Sequence, residues 1–276
     1  MNTAQLPFIK AHATENDFVV IVDPADELVL EPEQVAFLCN RRAGIGGDGL
    51  LRVTRLDASK GGHWFMDYRN ADGSVAEMCG NGIRAFAHVL AAEGLEERDE
   101  FEVATRAGLK SIRVLEANGT RARVAVGMGP VEVTGVSTAS MGDFRFAGLG
   151  VDVGNPHLAC VIPGLDGQEL HEMAFVQPEF DAEFFPHGVN VEVLTPLSET
   201  GEVHMRVWER GVGETRSCGT GTVAAAQSAL ADAGLEAGRV SVHVPGGTVE
   251  VEIAGGSATM MGPSTIVARG FLAEAL

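Results

Sequence analysis

Apolar and polar residues alternate along much of this chain. Stretches rich in Val, Ile, Phe and Leu fall at residues 18–22, 50–56, 101–105, 110–115 and 122–126. They recur at 157–162, 189–194, 203–208, 240–244, 248–253 and 265–268. Such short apolar or alternating runs, bounded by turn residues, predict β-strands. Three other segments read as helices. Residues 32–41 carry Pro32 in the first turn, where its missing N–H is no loss. Residues 83–92 and 222–231 are apolar on nearly every face, the pattern of a helix buried all round. Each of these two stops at a glycine, Gly94 or Gly234, suited to the left-handed residue that ends a helix.

The two apolar helices begin alike. Cys79-Gly80-Asn81-Gly82 leads into the first and Cys218-Gly219-Thr220-Gly221 into the second, the cysteines lying 139 positions apart in a chain of 276. The same offset carries Asn16 onto Asn155, and Phe101, Val103 and Thr105 onto Val240, Val242 and Val244. It also carries Gly108 onto Gly247. Gly94-Leu95-Glu96 recurs as Gly234-Leu235-Glu236, one residue out of register, and Met128-Gly129-Pro130 as Met261-Gly262-Pro263. The period is too long for a solenoid. The reading is an α+β protein of two homologous lobes from an internal duplication, each a curved, barrel-like β-sheet wrapped around a central helix. Residues 1–128 form the N-terminal lobe with Cys79, and 129–276 the C-terminal lobe with Cys218. The last strand, near 265–276, is a candidate to pack back on the first lobe.

Composition narrows the function classes. A hydrophobic content of 45% supports real cores, and a net charge of −18 argues against nucleic acid or an anionic membrane as partner. No apolar run is long enough to span a bilayer, and the start lacks the basic and apolar regions of a signal peptide. A cytoplasmic protein with a small-molecule partner is expected, its four cysteines reduced. Cys39 and Cys160 read as packing residues. No Cys-x-x-Cys or His-Glu-x-x-His run supports a metal site. A homodimer is compatible with the sequence, which does not fix the assembly. Gly44-Ile45-Gly46-Gly47-Asp48-Gly49 imitates a dinucleotide fingerprint, but here a helix precedes and a strand follows, the reverse of the required context.

Chemistry points to the two thiols. A helix N-terminus offers unpaired N–H groups and a partial positive charge, which lower a thiol's pKa and bind carboxylate. The flanking glycines allow close approach to the backbone. Two such termini in a duplicated fold suit removal of a proton from one side of a carbon and its return on the other.

At these residues the chain resembles the diaminopimelate epimerase family over its full length. The matching runs include Asn16-Asp17-Phe18, Asn70-Ala71-Asp72-Gly73-Ser74, Met78-Cys79-Gly80-Asn81-Gly82 and Gly154-Asn155-Pro156-His157. Further on they include Gly188-Val189-Asn190-Val191, Trp208-Glu209-Arg210-Gly211 and Cys218-Gly219-Thr220-Gly221-Thr222. The resemblance implies a site between two lobes and interconversion of LL- and meso-2,6-diaminopimelate, a step toward lysine and peptidoglycan precursors, with no cofactor. It implies Cys79 and Cys218 as acid/bases, with His157 and Glu209 tuning the thiols. Asn16, Asn70, Asn155, Asn190, Glu209 and Arg210 are expected to grip the substrate, and the backbones of Gly80, Asn81, Gly219 and Thr220 its reacting carboxylate. Where some relatives carry Gln, this chain has Gly49.

Three other readings stay open on the residues alone: a proline racemase-type enzyme with the same two-thiol chemistry, a redox protein cycling a Cys79–Cys218 disulfide, and a non-catalytic amino-acid binding module.

Overall fold

The computed structural model describes residues 6–57 and 62–273. The chain divides into two compact units, one running up to Val126 and resuming at Gly262, the other spanning Gly127–Met261.

The first unit contains β1 (Pro7–Ala13), β2 (Asn16–Val22), α1 (Pro32–Cys39), β3 (Gly49–Arg55), β4 (Trp64–Asn70), α2 (Gly80–Ala92), β5 (Glu100–Thr105), β6 (Gly108–Ala117) and, up to Val126, β7 (Arg121–Pro130). The second contains β8 (Glu132–Met141), β9 (Phe144–Asp152), β10 (Pro156–Val161), α3 (Gly167–Glu172), β11 (Glu179–Phe180), β12 (Asn190–Leu194), β13 (Glu202–Glu209) and β14 (Gly213–Thr215). It continues with α4 (Gly219–Asp232), β15 (Gly238–Val244), β16 (Gly247–Ala254) and the start of β17 (Ser257–Phe271). From Gly262 onward β17 belongs to the first unit.

Strand order shows the duplication. In the first unit β17 pairs with β1 and β1 with β2, both antiparallel. Then β2–β3 is parallel, β3–β4 antiparallel, β4–β5 parallel, and β5–β6 and β6–β7 antiparallel. A β7–β17 pairing closes this sheet into an eight-stranded barrel. The second unit repeats the sequence of pairings as β8, β9, β10, β12, β13, β15, β16 and β17. Parallel neighbours need a crossover, and each of the four parallel pairs is joined through a helix. α1 therefore corresponds to α3, and α2 to α4. The repeated Met-Gly-Pro runs lie in β7 and β17, the two strands that carry the chain from one unit to the other.

Each central helix is enclosed by its own sheet. α2 packs against β1, β2, β3, β4 and β6, and α4 against β9, β10, β12, β13, β15 and β16. Ile83, Phe86 and Leu90 on α2, and Val223, Ala226 and Ala229 on α4, have no exposed surface. Both helices end in the same motif. Leu95 N–H reaches Leu90 O and Gly94 N–H reaches Ala91 O, while Leu235 and Gly234 do the same with Leu230 and Ala231. Gly94 (φ 65°) and Gly234 (φ 72°) supply the left-handed residue this requires.

β1, β4, β8, β9, β11, β14 and α3 were not predicted from the pattern. β8 is rich in Gly, Ser and Thr and β9 carries two glycines, both with many exposed positions, so too few apolar residues mark their period. α3 has only one buried residue, Leu170.

The packing makes two contrasting expectations. Phe86→Ala empties space inside the first barrel and should lower stability by about 3–5 kcal/mol. Gly94→Ala meets no neighbour within 4 Å, so only its left-handed backbone is penalised, by about 1–2 kcal/mol. Urea unfolding of both variants measures the difference, and equal losses would contradict the buried-helix account.

Candidate active site

In both halves the sulfur itself caps the helix. Cys79 lies just before α2 with extended backbone (φ −138°, ψ 119°), and its Sγ accepts the Gly82 N–H at 3.3 Å. Cys218 does the same before α4 (φ −123°, ψ 119°), its Sγ accepting the Gly221 N–H at 3.4 Å. The N-cap role normally falls to Ser, Thr, Asp or Asn. A cysteine there receives the same backbone N–H groups and the positive end of the helix dipole, both of which favour its thiolate. The glycines are needed for space. A Cβ on Gly221 would sit 2.8 Å from the Glu192 carboxylate, and one on Gly82 would press on the Cys79 Cβ at 3.2 Å.

Beside Cys79 the first unit places Asn16. Asn16 Nδ2 donates to Asp48 (2.8 Å), which turns its Oδ1 toward Cys79 Sγ, 3.5 Å away. Asn70 donates to Ser74 Oγ (3.0 Å) within the turn that follows β4. Gly73 in that turn has φ 86°, and its Cα faces Pro32 so closely that a Cβ would lie 2.2 Å from the Pro32 carbonyl oxygen. Gly49 stands opposite Asn70 in the β3–β4 register. A Cβ there would meet the Arg69 carbonyl oxygen at 2.6 Å and the Tyr68 ring at 2.7 Å, so Tyr68 fills the room a longer side chain would need.

The second unit surrounds Cys218 with acids, Glu192 buried and Glu209 half-buried. Cys218 Sγ lies 3.6 Å from Thr220 Oγ1, and the Glu209 carboxylate accepts from the Thr215 hydroxyl. His157 is fully buried and held on both ring nitrogens, by Glu192 (2.7 Å) and Asn155 (3.1 Å). Asn190 donates to Pro156 O and accepts the Arg210 N–H (2.9 Å), while the Arg210 guanidinium reaches His187 O. Burial pushes the Cys218 thiol well above its ordinary value, and the charges of Glu209 and Glu192 push it further. Burial likewise raises Glu209 and Glu192; the Thr215 bond opposes the shift at Glu209 and the His157 charge at Glu192. This environment favours the thiol form of Cys218 at neutral pH.

Glu192 escaped the sequence reading. Its signal was a single acid inside the Val-rich run Val189–Leu194, where every β12 side chain is buried. Cys39 and Cys160 pack in apolar clusters. Burial lifts Cys39 to about 11 and Cys160 higher still, so neither is a reactive thiol. The Gly44–Gly49 segment follows α1 and enters β3, which is not the strand-to-helix order of a dinucleotide site. Among the described residues no group of three or more His, Cys, Asp or Glu side chains is assembled for a metal ion.

Comparison with known proteins decides the family. The family model for diaminopimelate epimerase matches residues 8–134 and 149–267. The chain belongs to the diaminopimelate epimerase family. It is 58% identical over 270 residues to a diaminopimelate epimerase of Corynebacterium glutamicum, covering 96% of this chain and 97% of that one. A Rhodococcus jostii relative of the same name is 53% identical over 281 residues, covering 97% of both. Solved structures share the fold at low identity. A hydroxyproline epimerase from Agrobacterium vitis matches with TM-score 0.63 at 16% identity, covering 97% of this chain and 91% of that one. A phenazine biosynthesis protein of the PhzF family from Bacillus anthracis matches with TM-score 0.69 at 14% identity, covering 97% and 98%. The family is one of isomerases, and the chain is an enzyme of that class.

The field around Cys218 is testable without substrate. Glu192→Gln removes a negative charge and keeps the shape that holds His157. Iodoacetamide labelling of Cys218 at pH 8, followed by peptide mass spectrometry, should speed up roughly three- to tenfold, since one pKa unit is tenfold in thiolate. Cys39 and Cys160 should stay unlabelled. An unchanged Cys218 rate would show that the carboxylate does not hold the thiol protonated.

Proposed function

We propose that the protein interconverts LL- and meso-2,6-diaminopimelate by two-base proton transfer at one α-carbon, with Cys79 and Cys218 as the two acid/bases. The single observation that carries this reading is the repeated sulfur cap, one at the head of each buried helix. The family relationship names the substrate. The step serves lysine and peptidoglycan precursor synthesis in the cytoplasm.

The chemistry follows from what the caps offer. An amino acid's α-proton is a weak acid, and its carboxylate makes the carbanion worse. Removal becomes feasible when the developing enediolate is met by fixed N–H dipoles. The first N–H groups of an α-helix have no intrahelical partner. Those of Gly80 and Asn81, and of Gly219 and Thr220, are assigned to the reacting carboxylate. One sulfur takes the α-proton as thiolate while the other returns a proton to the opposite face as thiol. The electron pair passes into the enediolate and back, so no redox partner enters the balance. Cys218, beside the Glu209 and Glu192 carboxylates that favour its thiol, is assigned as the resting acid, and Cys79 as the resting base. Their roles exchange in the reverse direction, and such a pair titrates as a unit.

Substrate choice is assigned to the distal end. Arg210 takes the second carboxylate by a two-pronged bond. Asn155, Asn190 and the carbonyl sides of Asn16 and Asn70 accept from ammonium groups, with Glu209 near the thiol. A symmetric diamino diacid uses this array, whereas a monocarboxylate such as proline leaves Arg210 unmatched. His157 acts through Asn155 and Glu192, which it bonds.

The decisive assay mixes reduced protein with the LL isomer in heavy water, following loss of the α-proton by NMR and the stereoisomers by chiral separation. Exchange with meso product is expected, and Cys79→Ser and Cys218→Ser should each lower turnover by at least ~10²-fold. Folded, reduced protein that neither exchanges nor forms meso product would sink the substrate assignment. Arg210→Met should lower kcat/KM roughly 10–10²-fold, the worth of a charged hydrogen bond; no change would remove Arg210 from the distal carboxylate.

A further inference from the structure

One buried charge in the first unit has no counterpart in the second. Arg84 lies on α2 and has no exposed surface. It donates from Nη1 to the Gly80 carbonyl (3.4 Å) and from Nη2 to Asn81 Oδ1 (3.0 Å) and Thr14 Oγ1 (3.2 Å). Gly262 on β17 makes room for it, since a Cβ there would lie 3.1 Å from Nε and 3.2 Å from Cζ. At the duplicated position, 139 residues on, stands Val223. A full charge in a barrel interior is expensive, and the duplicate shows that this fold does not require it.

What Arg84 joins is specific. Gly80 and Asn81 follow the Cys79 cap directly. Thr14 is the first residue of the tight turn between β1 and β2, where Thr14 and Glu15 both have positive φ, 47° and 63°. A β-branched residue in that region is strained and stays there only when its surroundings hold it. Asn16, which faces Cys79 Sγ, follows this turn directly. The guanidinium thus spans the turn that delivers Asn16 and the helix end that delivers Cys79.

We propose that Arg84 is a positioning residue for the first thiol: it ties the turn that carries Asn16 to the helix end that carries Cys79, and sets its charge beside that end. Burial draws the guanidinium down to about 10, which still leaves it charged at neutral pH, and its charge and the Cys79 sulfur favour each other's ionised forms. The other charged groups on neighbouring elements have partners of their own, Asp48 also holding the Asn16 amide. Asp17 and Asp48 bind Lys10 and Arg41. Asp67 binds Arg52, Arg69 and Arg106. His88, the next residue along this face of α2, bonds Ser264 and the Asn118 carbonyl, and β6 brings the half-buried Lys110. The weak S–H bond from Cys79 to Asn16 favours the thiol, but an S–H is a poor donor beside a full charge in a dry interior.

The inference rests on the two-base reading only for its consequence in turnover, and its test separates the two. Iodoacetamide labelling of Cys79 and Cys218 across pH 6–10 needs no substrate. In Arg84→Met the Cys79 rate at pH 7.5 should fall roughly three- to tenfold, with its profile displaced to higher pH, while the Cys218 rate is unchanged. kcat should fall more than KM rises. Arg84→Lys, which keeps the charge but cannot span three acceptors, should restore the Cys79 profile and only part of kcat. Should Arg84→Met fail to fold, Arg84→Lys and Gly262→Ala carry the test; the latter crowds the guanidinium and should lower kcat while Cys218 labels normally. An unchanged Cys79 profile in Arg84→Met, or equal losses at both cysteines, would overturn the proposal. A displaced profile in protein inactive toward diaminopimelate would leave it standing and sink the substrate reading instead.

Discussion

A helix that starts inside a barrel must find partners for backbone N–H groups that its own ladder leaves over. Here a sulfur takes one of them at each helix, and the arrangement of both units follows from that. The cap needs a residue in extended conformation with glycine three positions on, where a Cβ would press on the cysteine's own Cβ and, in the second unit, on the Glu192 carboxylate. It needs apolar residues all round the helix that follows, because strands cover every side. The same unsatisfied N–H groups that make the site costly to bury make it receptive to an anion, whether thiolate or carboxylate. Structure and chemistry therefore draw on one set of dipoles.

Duplication gave two equal caps, and later charge placement made them unequal. The first thiol has a buried guanidinium bonded to the two residues that follow it and a neutral amide beside it. The second has one buried and one half-buried carboxylate and a histidine locked between Glu192 and Asn155. Reversible proton transfer benefits from such inequality. Two identical thiols would share the same resting state, whereas an acid and a base must differ. The backbone is conserved between the units strand by strand, so the difference is written almost wholly in side chains.

The features most legible in the sequence are those in which one residue type has few alternatives. The Cys-Gly-x-Gly runs, the apolar helices and the terminating glycines identify the caps and central helices because few other residues tolerate those positions. Most central strands show their period because both barrel interiors are apolar. β8 was hidden because Gly, Ser and Thr weaken the alternation, β9 because two glycines do, and β1 because two of its three inward residues, Ala11 and Ala13, are too small to mark a period. Glu192 and Arg84 were missed for a common reason. Each is a charged residue inside an apolar run, where local pattern reads a strand or helix and says nothing about a partner far along the chain. Thr14 was equally opaque, since positive φ at a β-branched residue is a consequence of tertiary contacts.

The path of β17 has a consequence for the order in which the protein is made. Its last residues pair with β1, Pro7 standing opposite Phe271, so the first unit holds an unpaired strand edge until the chain is nearly complete. The second unit is drawn from one uninterrupted stretch, Gly127–Met261. On a ribosome, the half encoded later is thus the first whose strands are all available, while the half encoded first must wait with β1 uncovered. An exposed strand edge is a template for pairing with other chains, so the period between emergence of β1 and arrival of β17 is when this protein is most exposed to aggregation. The negative charge that builds toward −18 as the chain lengthens works against contact between nascent copies.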